Sequence, residues 1–581
     1  AAEGSFTAGT YTGTSKGFGG DVTATVEVSD SAIVSVEAVG ESETDGIGTN
    51  ALEMLPAAIV SAQSLKVDTV AGCTVTSEAV LAAAEDALRQ SGASDEIIFA
   101  EPLASETVAE DEVIETNVLI VGAGAAGLSA ALSSHNNGVE DVLVIEKMPA
   151  VGGATSMAGG GMPAYRGDED PDVTEKNIEE LFLDLSRIGK FNNNARLTMM
   201  QARLSTPTIE WLKSVGVGIT GEPNPDEPLV SYGCEGRAAG AVNTLYAKVQ
   251  EAGVPVMLNT RAEHLIMDGD TVIGVQATGS EGQNITILAN AVLMATGGYG
   301  NNTSLIADTS ILDRVIYYGP VGATGDGHIM AIDAGAKMEN LGHTKMMHDF
   351  DSGLMYEEPF LYVNMEGKRF CNEDTGFVYM GNITKYVPKF NGNNVDANHP
   401  DGSLGWYCQI YDNDYMSYAN SPVPEQVMTK YIPGAVENPQ GVFTNLIDTY
   451  KADTIEELAG LLGVPADELQ KTIDRYNELC DKGADVDFGK KSAYMHKIVT
   501  APFWGIRKHI RVSAICAGVN TNANGQALDA DGNVIDGLYC VGNVGGVFYG
   551  GADYPFHQTG LSLGRCYTFG MLAAKHAMGQ L

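Results

Sequence analysis

The stretch Val118-Leu-Ile-Val-Gly-Ala-Gly-Ala-Ala-Gly127 decides the fold. Val118 to Val121 form a short apolar run that reads as a buried strand. Gly122, Gly124 and Gly127 follow at once, and Leu128-Ser-Ala-Ala-Leu132 reads as helix. The first glycine permits a tight turn and the second lets backbone approach a pyrophosphate. The third lets the helix pack closely on the strand, with the helix N-terminus facing phosphate charge. Such a glycine pattern alone is weak, because Gly-rich turns are common. Here a second apolar strand, Asp141-Val-Leu-Val-Ile-Glu146, ends in an acid at the distance expected of a ribose hydroxyl acceptor. The two segments together predict an α/β chain that binds a dinucleotide.

Working outward, Val151-Gly-Gly-Ala-Thr-Ser-Met-Ala-Gly-Gly-Gly-Met162 is a second glycine-rich stretch, whose unshielded backbone suits a long flat cofactor. Ala291-Val-Leu-Met-Ala-Thr-Gly-Gly298 and Gly537-Leu-Tyr-Cys-Val-Gly-Asn543 are further buried strands that end in small residues. With Ala323-Thr-Gly-Asp-Gly327 and Gly367-Lys-Arg-Phe-Cys-Asn-Glu373, residues 116 to 581 resemble the flavoprotein family of fumarate reductases, succinate dehydrogenases and 3-ketosteroid dehydrogenases. The resemblance implies non-covalent FAD. It places cofactor contacts at Gly122, Gly124, Ala125, Ala126, Gly127, Glu146, Lys147, Gly152, Gly153, Ala154, Thr155, Gly160, Gly161, Met162, Thr296, Gly297, Gly298, Asp326, Gly542, Asn543, Ser562 and Leu563. Asn543 stands where the family usually has Glu; an amide still hydrogen-bonds a ribityl chain.

The first hundred residues read separately. Asp21-Val-Thr-Ala-Thr-Val-Glu-Val28 and Ala32-Ile-Val-Ser-Val-Glu-Ala38 alternate as half-buried strands do. After a helical stretch, Val67-Asp-Thr-Val-Ala-Gly-Cys-Thr-Val-Thr-Ser77 resembles the small domain that carries FMN on a threonine phosphoester. The family pattern, Asp-x-x-Ser/Thr-Gly-Ala-Thr, lands on Asp68, Gly72 and Thr74, with Ala71 and Cys73 as departures, and Glu43 to Gly48 also fits that domain. The resemblance implies covalent FMN on Thr74, installed by a flavin transferase. The alternative is a polar turn before a helix with Thr76 or Ser77 as N-cap.

A chain of 581 residues exceeds a single core. The expected organisation is an α+β FMN-binding domain over 1–100, a linker over 101–115, a Rossmann-type FAD-binding domain over 116–340 and 506–581, and an inserted α+β capping domain over 341–505. The net charge of −41 argues against nucleic acid as a partner. No apolar run reaches transmembrane length, and no signal sequence is recognisable. A start at Ala1 in place of Met, with FMN attached as the family attaches it, gives an expectation of processing and of an extracytoplasmic location. The eight cysteines form no C-x-x-C pair and the histidines no zinc spacing, so haem c, iron–sulfur and zinc sites are not expected and FMN is the natural electron relay. The aromatic residues of the capping region (Tyr356, Tyr362, Tyr379, Trp406, Tyr407, Tyr411, Tyr415, Tyr418) offer a substrate box, but most read as amphipathic surface or interface residues.

The resemblance also bears on substrate. Where dicarboxylate reductases carry a proton-donating arginine, a histidine pair and a clamping arginine, this chain has Phe377, Ser513-Ala514 and Tyr554. A dicarboxylate is therefore not expected. Tyr554-Pro555 with Gly560-Leu-Ser-Leu-Gly564 is similar to the 3-ketosteroid enzymes, whose tyrosine hydrogen-bonds a ketone. A phenol can polarise an enone and supply a proton. Tyr554, Tyr379, His343 and His348 are the candidate catalytic residues. These readings converge on a flavin-dependent reductase: a membrane or soluble donor reduces FMN, FMN reduces FAD, and hydride passes to the activated C=C bond of a small acceptor, an enone or aryl-alkene. The alternatives are a ketone or steroid dehydrogenase that desaturates, and an electron-transfer flavoprotein without organic substrate.

Overall fold

The computed structural model describes residues 5–43, 48–67, 69–70, 74–100, 111–188, 191–302, 305, 315–317, 319–339, 345–348, 357–375, 406–429, 432, 449–515, 517–546, 548–549 and 560–579. The chain is mixed α/β. At the N-terminus, strands Gly9–Lys16, Asp21–Val28 and Ile33–Val39 make an antiparallel meander. Alternation along the middle strand sends Val22, Ala24, Val26 and Val28 inward, where helices Gly48–Ala62 and Thr74–Gln90 cover them. Each valine so buried contributes roughly 1.5–3 kcal/mol. The second helix starts at Thr74, so Thr76 and Ser77 lie inside its first turn and are not N-caps.

The largest sheet is built on Glu112–Val121, which pairs in parallel with Val142–Ile145 on one side and Asn284–Met294 on the other. Val534–Cys540 pairs in parallel with the end of Asn284–Met294 and meets the glycine turn's neighbourhood from the far end of the chain. Val118 to Val121, Val142 to Ile145 and Val292 to Met294 are buried on both faces, as parallel strands flanked by other layers must be. Residues 101–110 of the expected linker fall outside the described residues, but from Glu112 onward the chain is already strand, paired with 285–289. Helix Ala125–Asn136 packs against the C-terminal helix Leu561–Ala577. A Cβ at Gly570 would sit 2.3 Å from the Ala126 carbonyl oxygen, so glycine there sets the closeness of the two helices.

A further sheet is organised by the long strand Phe503–Ile515, which pairs with Trp406–Tyr411, Thr449–Ala452, Lys345–His348 and Val315–Tyr317. This strand runs through the expected 505/506 boundary. Helices Ile455–Leu462 and Ala466–Lys482 cover one face. The other face carries Tyr362, Tyr407, Tyr411, Tyr415 and Trp504, all buried. That corrects the surface reading of these tyrosines: strand Trp406–Tyr411 is covered on both sides, and its rings stack, Phe360 on Tyr411 at 4.2 Å. Tyr379 lies outside the described residues.

Buried charge locks this region. The Arg369 guanidinium donates to both Glu373 oxygens, at 2.8 and 2.6 Å, and to Asp485 at 2.7 Å. Lys490 Nζ donates to the Phe360 carbonyl (2.8 Å) and the Tyr476 hydroxyl (3.0 Å) and lies 3.7 Å from Glu373. Burial pushes the Asp485 carboxyl up, but Arg369 and the Lys490 and Phe488 amides outweigh it and hold it down at about 2. Removing one partner of such a pair leaves a buried charge uncompensated, so Arg369→Met should cost about 3–5 kcal/mol in urea unfolding. Because the Asp485 pKa is depressed, its stabilisation is present above the unfolded value, near 3.8, and is lost as pH falls toward 2. Unfolding midpoints recorded across that window check both; a variant with wild-type stability, or a stability flat from pH 5 to 2, contradicts the account.

Candidate functional site

The glycine turn stands at the carboxyl ends of the parallel strands, where ligands of open α/β sheets bind. Gly122 has φ +106°, and a Cβ there would lie 2.6 Å from the Ala295 carbonyl oxygen. A Cβ at Gly127 would lie 1.8 Å from the Gly122 carbonyl oxygen, so the helix could not close on the turn. At Gly124 the nearest atoms are 3.6 Å away, leaving backbone open toward the cleft. The first-turn N–H groups of helix Ala125–Asn136 have no partners within the helix, and Ala125 and Ala126 face the cleft. Thr155 Oγ1 accepts from the Ala125 amide at 3.1 Å.

Opposite the turn, Glu146 Oε2 accepts from the Ala123 amide (2.8 Å) and Oε1 from the Met148 amide (2.9 Å). Each oxygen keeps a second lone pair for a ribose hydroxyl. Burial pushes the Glu146 carboxyl up, and these two amides only partly offset it, so the charged form gains from further donors. Lys147 Nζ donates to Thr324 Oγ1 (2.5 Å) and Asp326 Oδ2 (3.0 Å), and Arg261 Nε reaches the same Asp326 oxygen at 3.3 Å. Burial raises the Asp326 carboxyl, but the Thr324 hydroxyl and the two cations lower it below its ordinary value.

The third wall comes from Ala295 to Gly298 and from Gly542 and Asn543. Thr296 Oγ1 is buried there without a protein partner. Asn543 Oδ1 accepts from Ser562 Oγ (3.1 Å) and Arg565 (3.0 Å), which orients its carboxamide. Arg565 also donates to the Gly545 carbonyl at 3.2 Å and packs over Phe548 and Tyr549. These walls line one continuous cleft that runs from the glycine turn past Glu146 and Asp326 to Asn543. An elongated cleft with an open glycine backbone, an under-compensated carboxylate and an orphaned threonine hydroxyl fits a dinucleotide such as FAD.

Of the expected contacts, Gly122, Gly124, Ala125, Ala126, Glu146, Lys147, Gly152, Gly153, Ala154, Thr155, Thr296, Gly297, Gly298, Asp326, Gly542 and Asn543 line this cleft. Gly127 sits beneath it and Ser562 acts through Asn543. Met162 and Leu563 are buried in the neighbouring core, and Gly160 packs against Arg237 and Ala238. Gly161 presents its carbonyl to Gly560, where a Cβ would lie 1.6 Å away. The sequence did not single out Thr260, Arg261 and Arg565, which no local motif marks, nor His328, nor Thr324, although it lies inside the Ala323–Gly327 motif. Burial pushes the His328 imidazole down to about 4 despite the nearby Ala517 and Asn543 backbone, so it is neutral near pH 7.

Tyr554, Tyr379, His343 and Phe377 lie outside the described residues. His348 closes strand Lys345–His348, paired in register with Arg511, while Met346 pairs with Ala514. The topology therefore brings position 348 and the 513–514 position onto adjacent strands. Ala514 is buried in the core, so no imidazole or cation stands at 514. No group of three potential metal ligands occurs among the described residues.

Comparison with known proteins agrees with these features. Residues 117–554 match the FAD binding domain family, and residues 17–89 match the FMN-binding domain family. The chain is 27% identical to the NADH:acrylate oxidoreductase of Vibrio harveyi over 98% of its own length and 61% of that protein's. It thus spans less than two thirds of that relative. It is 28% identical to the urocanate reductase of Eggerthella lenta, over 98% of this chain and 92% of that one. With the vinyl phenol reductase of Lactiplantibacillus plantarum, identity is 28% over 79% of this chain and 96% of that one.

The close approach at Gly127 gives a direct test. Gly127→Val should lower FAD retained per chain at least tenfold, measured by chromatography of flavin released on denaturation. Full retention in that variant would mean the turn is not the pyrophosphate cradle.

Proposed function

The chain belongs to the FAD binding domain family, and on that premise we propose that it is a two-flavin reductase of activated C=C bonds. Thr74 would carry FMN, which would supply electrons from a membrane or soluble donor, and the cleft would hold FAD, which would supply hydride to a carbon conjugated with an electron-withdrawing group. The observation that carries this reading is the presence of both flavin modules in one chain, ahead of a cleft whose buried polar groups suit a dinucleotide. The first two relatives align over 98% of the chain, so each alignment spans both modules. Acrylate, urocanate and vinyl phenol each hold a C=C bond conjugated with a carboxyl or aryl group.

This chain's own residues then have definite tasks. Glu146 binds ribose, and the Gly122–Gly127 turn with its helix N-terminus takes pyrophosphate. Asn543, held by Ser562 and Arg565, presents its amide N–H groups to the cofactor. Tyr554 donates to the acceptor's carbonyl, with Tyr379, His343 and His348 as the groups around the reacting carbons and a source of the proton. The capping region, 341–505, excludes water while the 116–340 and 506–581 segments hold the cofactor and 1–100 holds FMN. No helix among the described residues is long and apolar enough to cross a membrane. We place the protein outside the cytoplasmic membrane, with a flavin transferase as its modifying partner.

Ala514 has a buried apolar environment where a dicarboxylate enzyme needs a charge-bearing or imidazole group. Two anions in such a site would cost several kcal/mol each. At about 1.36 kcal/mol per tenfold in rate, fumarate should be reduced at least a thousandfold more slowly than the preferred enone, cinnamate or vinyl arene. Tyr554→Phe should lower kcat/KM on that acceptor by roughly 10²–10³-fold, as loss of one oxyanion donor does. A viologen-driven acceptor screen measures both. Efficient fumarate turnover, or unaltered Tyr554→Phe kinetics on every acceptor, would sink the assignment.

A further inference from the structure

Glu43 is buried at the N-terminal domain, a setting that a carboxylate tolerates only when its oxygens are bonded. One oxygen accepts from the Thr76 hydroxyl at 2.6 Å; the other accepts from the Gly19 amide at 3.0 Å, in the turn between the first two strands. Thr76 is itself buried and lies one residue beyond Val75 in the helix that Thr74 opens. The enclosure around the carboxylate is made of glycines. A Cβ at Gly17 would stand 2.2 Å from Glu43 Oε1, one at Gly48 would stand 2.5 Å from Oε2, and one at Gly40 would stand 2.8 Å from Cγ. A second tie holds the other side: the Val70 amide, inside the attachment motif, donates to Ser77 Oγ at 3.0 Å in the same helical turn.

We propose that Glu43 is the positioning residue of the flavin attachment site: it clamps Thr76 to the Gly19 turn, which fixes the helix start that carries Thr74 and withholds Thr76 from modification. This rests on the reading of Thr74 as the FMN carrier. In the attachment step the threonine oxygen attacks the flavin-side phosphorus of a flavin dinucleotide. A P–O bond to threonine forms, the pyrophosphate P–O bond breaks, a nucleoside monophosphate leaves and the hydroxyl proton is released. The Thr76 hydroxyl is engaged by Glu43, which takes it out of competition and leaves position 74, two residues earlier, as the acceptor. Hydrogen bonds to a charged group are worth enough that losing this one should slow attachment about tenfold or more.

The test uses the full chain co-expressed with a flavin transferase, with covalent flavin followed by in-gel fluorescence and peptide mass and released FAD as the internal reference. Glu43→Ala and Thr76→Val should incorporate covalent flavin at least tenfold more slowly, while Thr76→Ser, which keeps the hydroxyl, should match the unaltered chain. Gly48→Ala separates positioning from stability. Its Cβ would lie 2.5 Å from Glu43 Oε2 and displace the carboxylate, so attachment should slow even when assayed well below the variant's own melting temperature, where the domain is folded. Thr74→Val should carry no covalent flavin, on Thr76 or elsewhere. Covalent flavin in Thr74→Val would overturn the choice of carrier. If Thr74→Val is empty but Gly48→Ala and Thr76→Val incorporate at the unaltered rate, the carrier stands and the positioning role of Glu43 is overturned.

Discussion

The structure depends on three places where backbone must touch backbone. Gly127 lies under the Gly122 carbonyl, Gly122 against Ala295, and Gly570 against the Ala126 carbonyl. Any side chain at these points would separate the first parallel strand, its helix, the strand that ends at Met294 and the C-terminal helix. Because those four elements come from residues as far apart as 112 and 577, their convergence is what makes a cleft from a discontinuous chain. The contact is steric and tolerates no compensation from a neighbour.

Polar groups around the cleft divide into those satisfied by protein and those left for a ligand. Lys147, Arg261, Thr324 and Asp326 satisfy one another and fix the rim. Glu146 is half-buried and the Thr296 hydroxyl oxygen is buried, each with capacity to spare. The capping region has the opposite design: Arg369, Glu373, Asp485 and Lys490 are mutually bonded, and the aromatic layer beside them is closed.

What the sequence made legible was what lies close in the chain. The strand–turn–helix at 118–132 and the acid at 146 follow from apolar runs and glycine spacing, which are local. The ties of Lys147 to Thr324 and of Asn543 to Arg565 were not legible, because neither residue type nor spacing marks a partner until the strands are paired. The tyrosines were misjudged for a related reason. Trp406–Tyr411 is buried on both faces, but its Cys, Gln and Tyr residues do not form the aliphatic run that usually announces such a strand. Likewise Thr76 resembled a cap in sequence, whereas its partner, Glu43, comes from 33 positions upstream.

The central claim is the order of electron flow, from FMN to FAD to a conjugated C=C bond. It is tested most directly with two single-flavin forms, Thr74→Val retaining FAD and Gly127→Val retaining FMN, each reduced anaerobically and mixed with the preferred acceptor in a stopped-flow instrument. The account predicts that the FAD-only form is reoxidised as fast as the unaltered protein and the FMN-only form at least a thousandfold more slowly. Rapid reoxidation of the FMN-only form by the acceptor would contradict it.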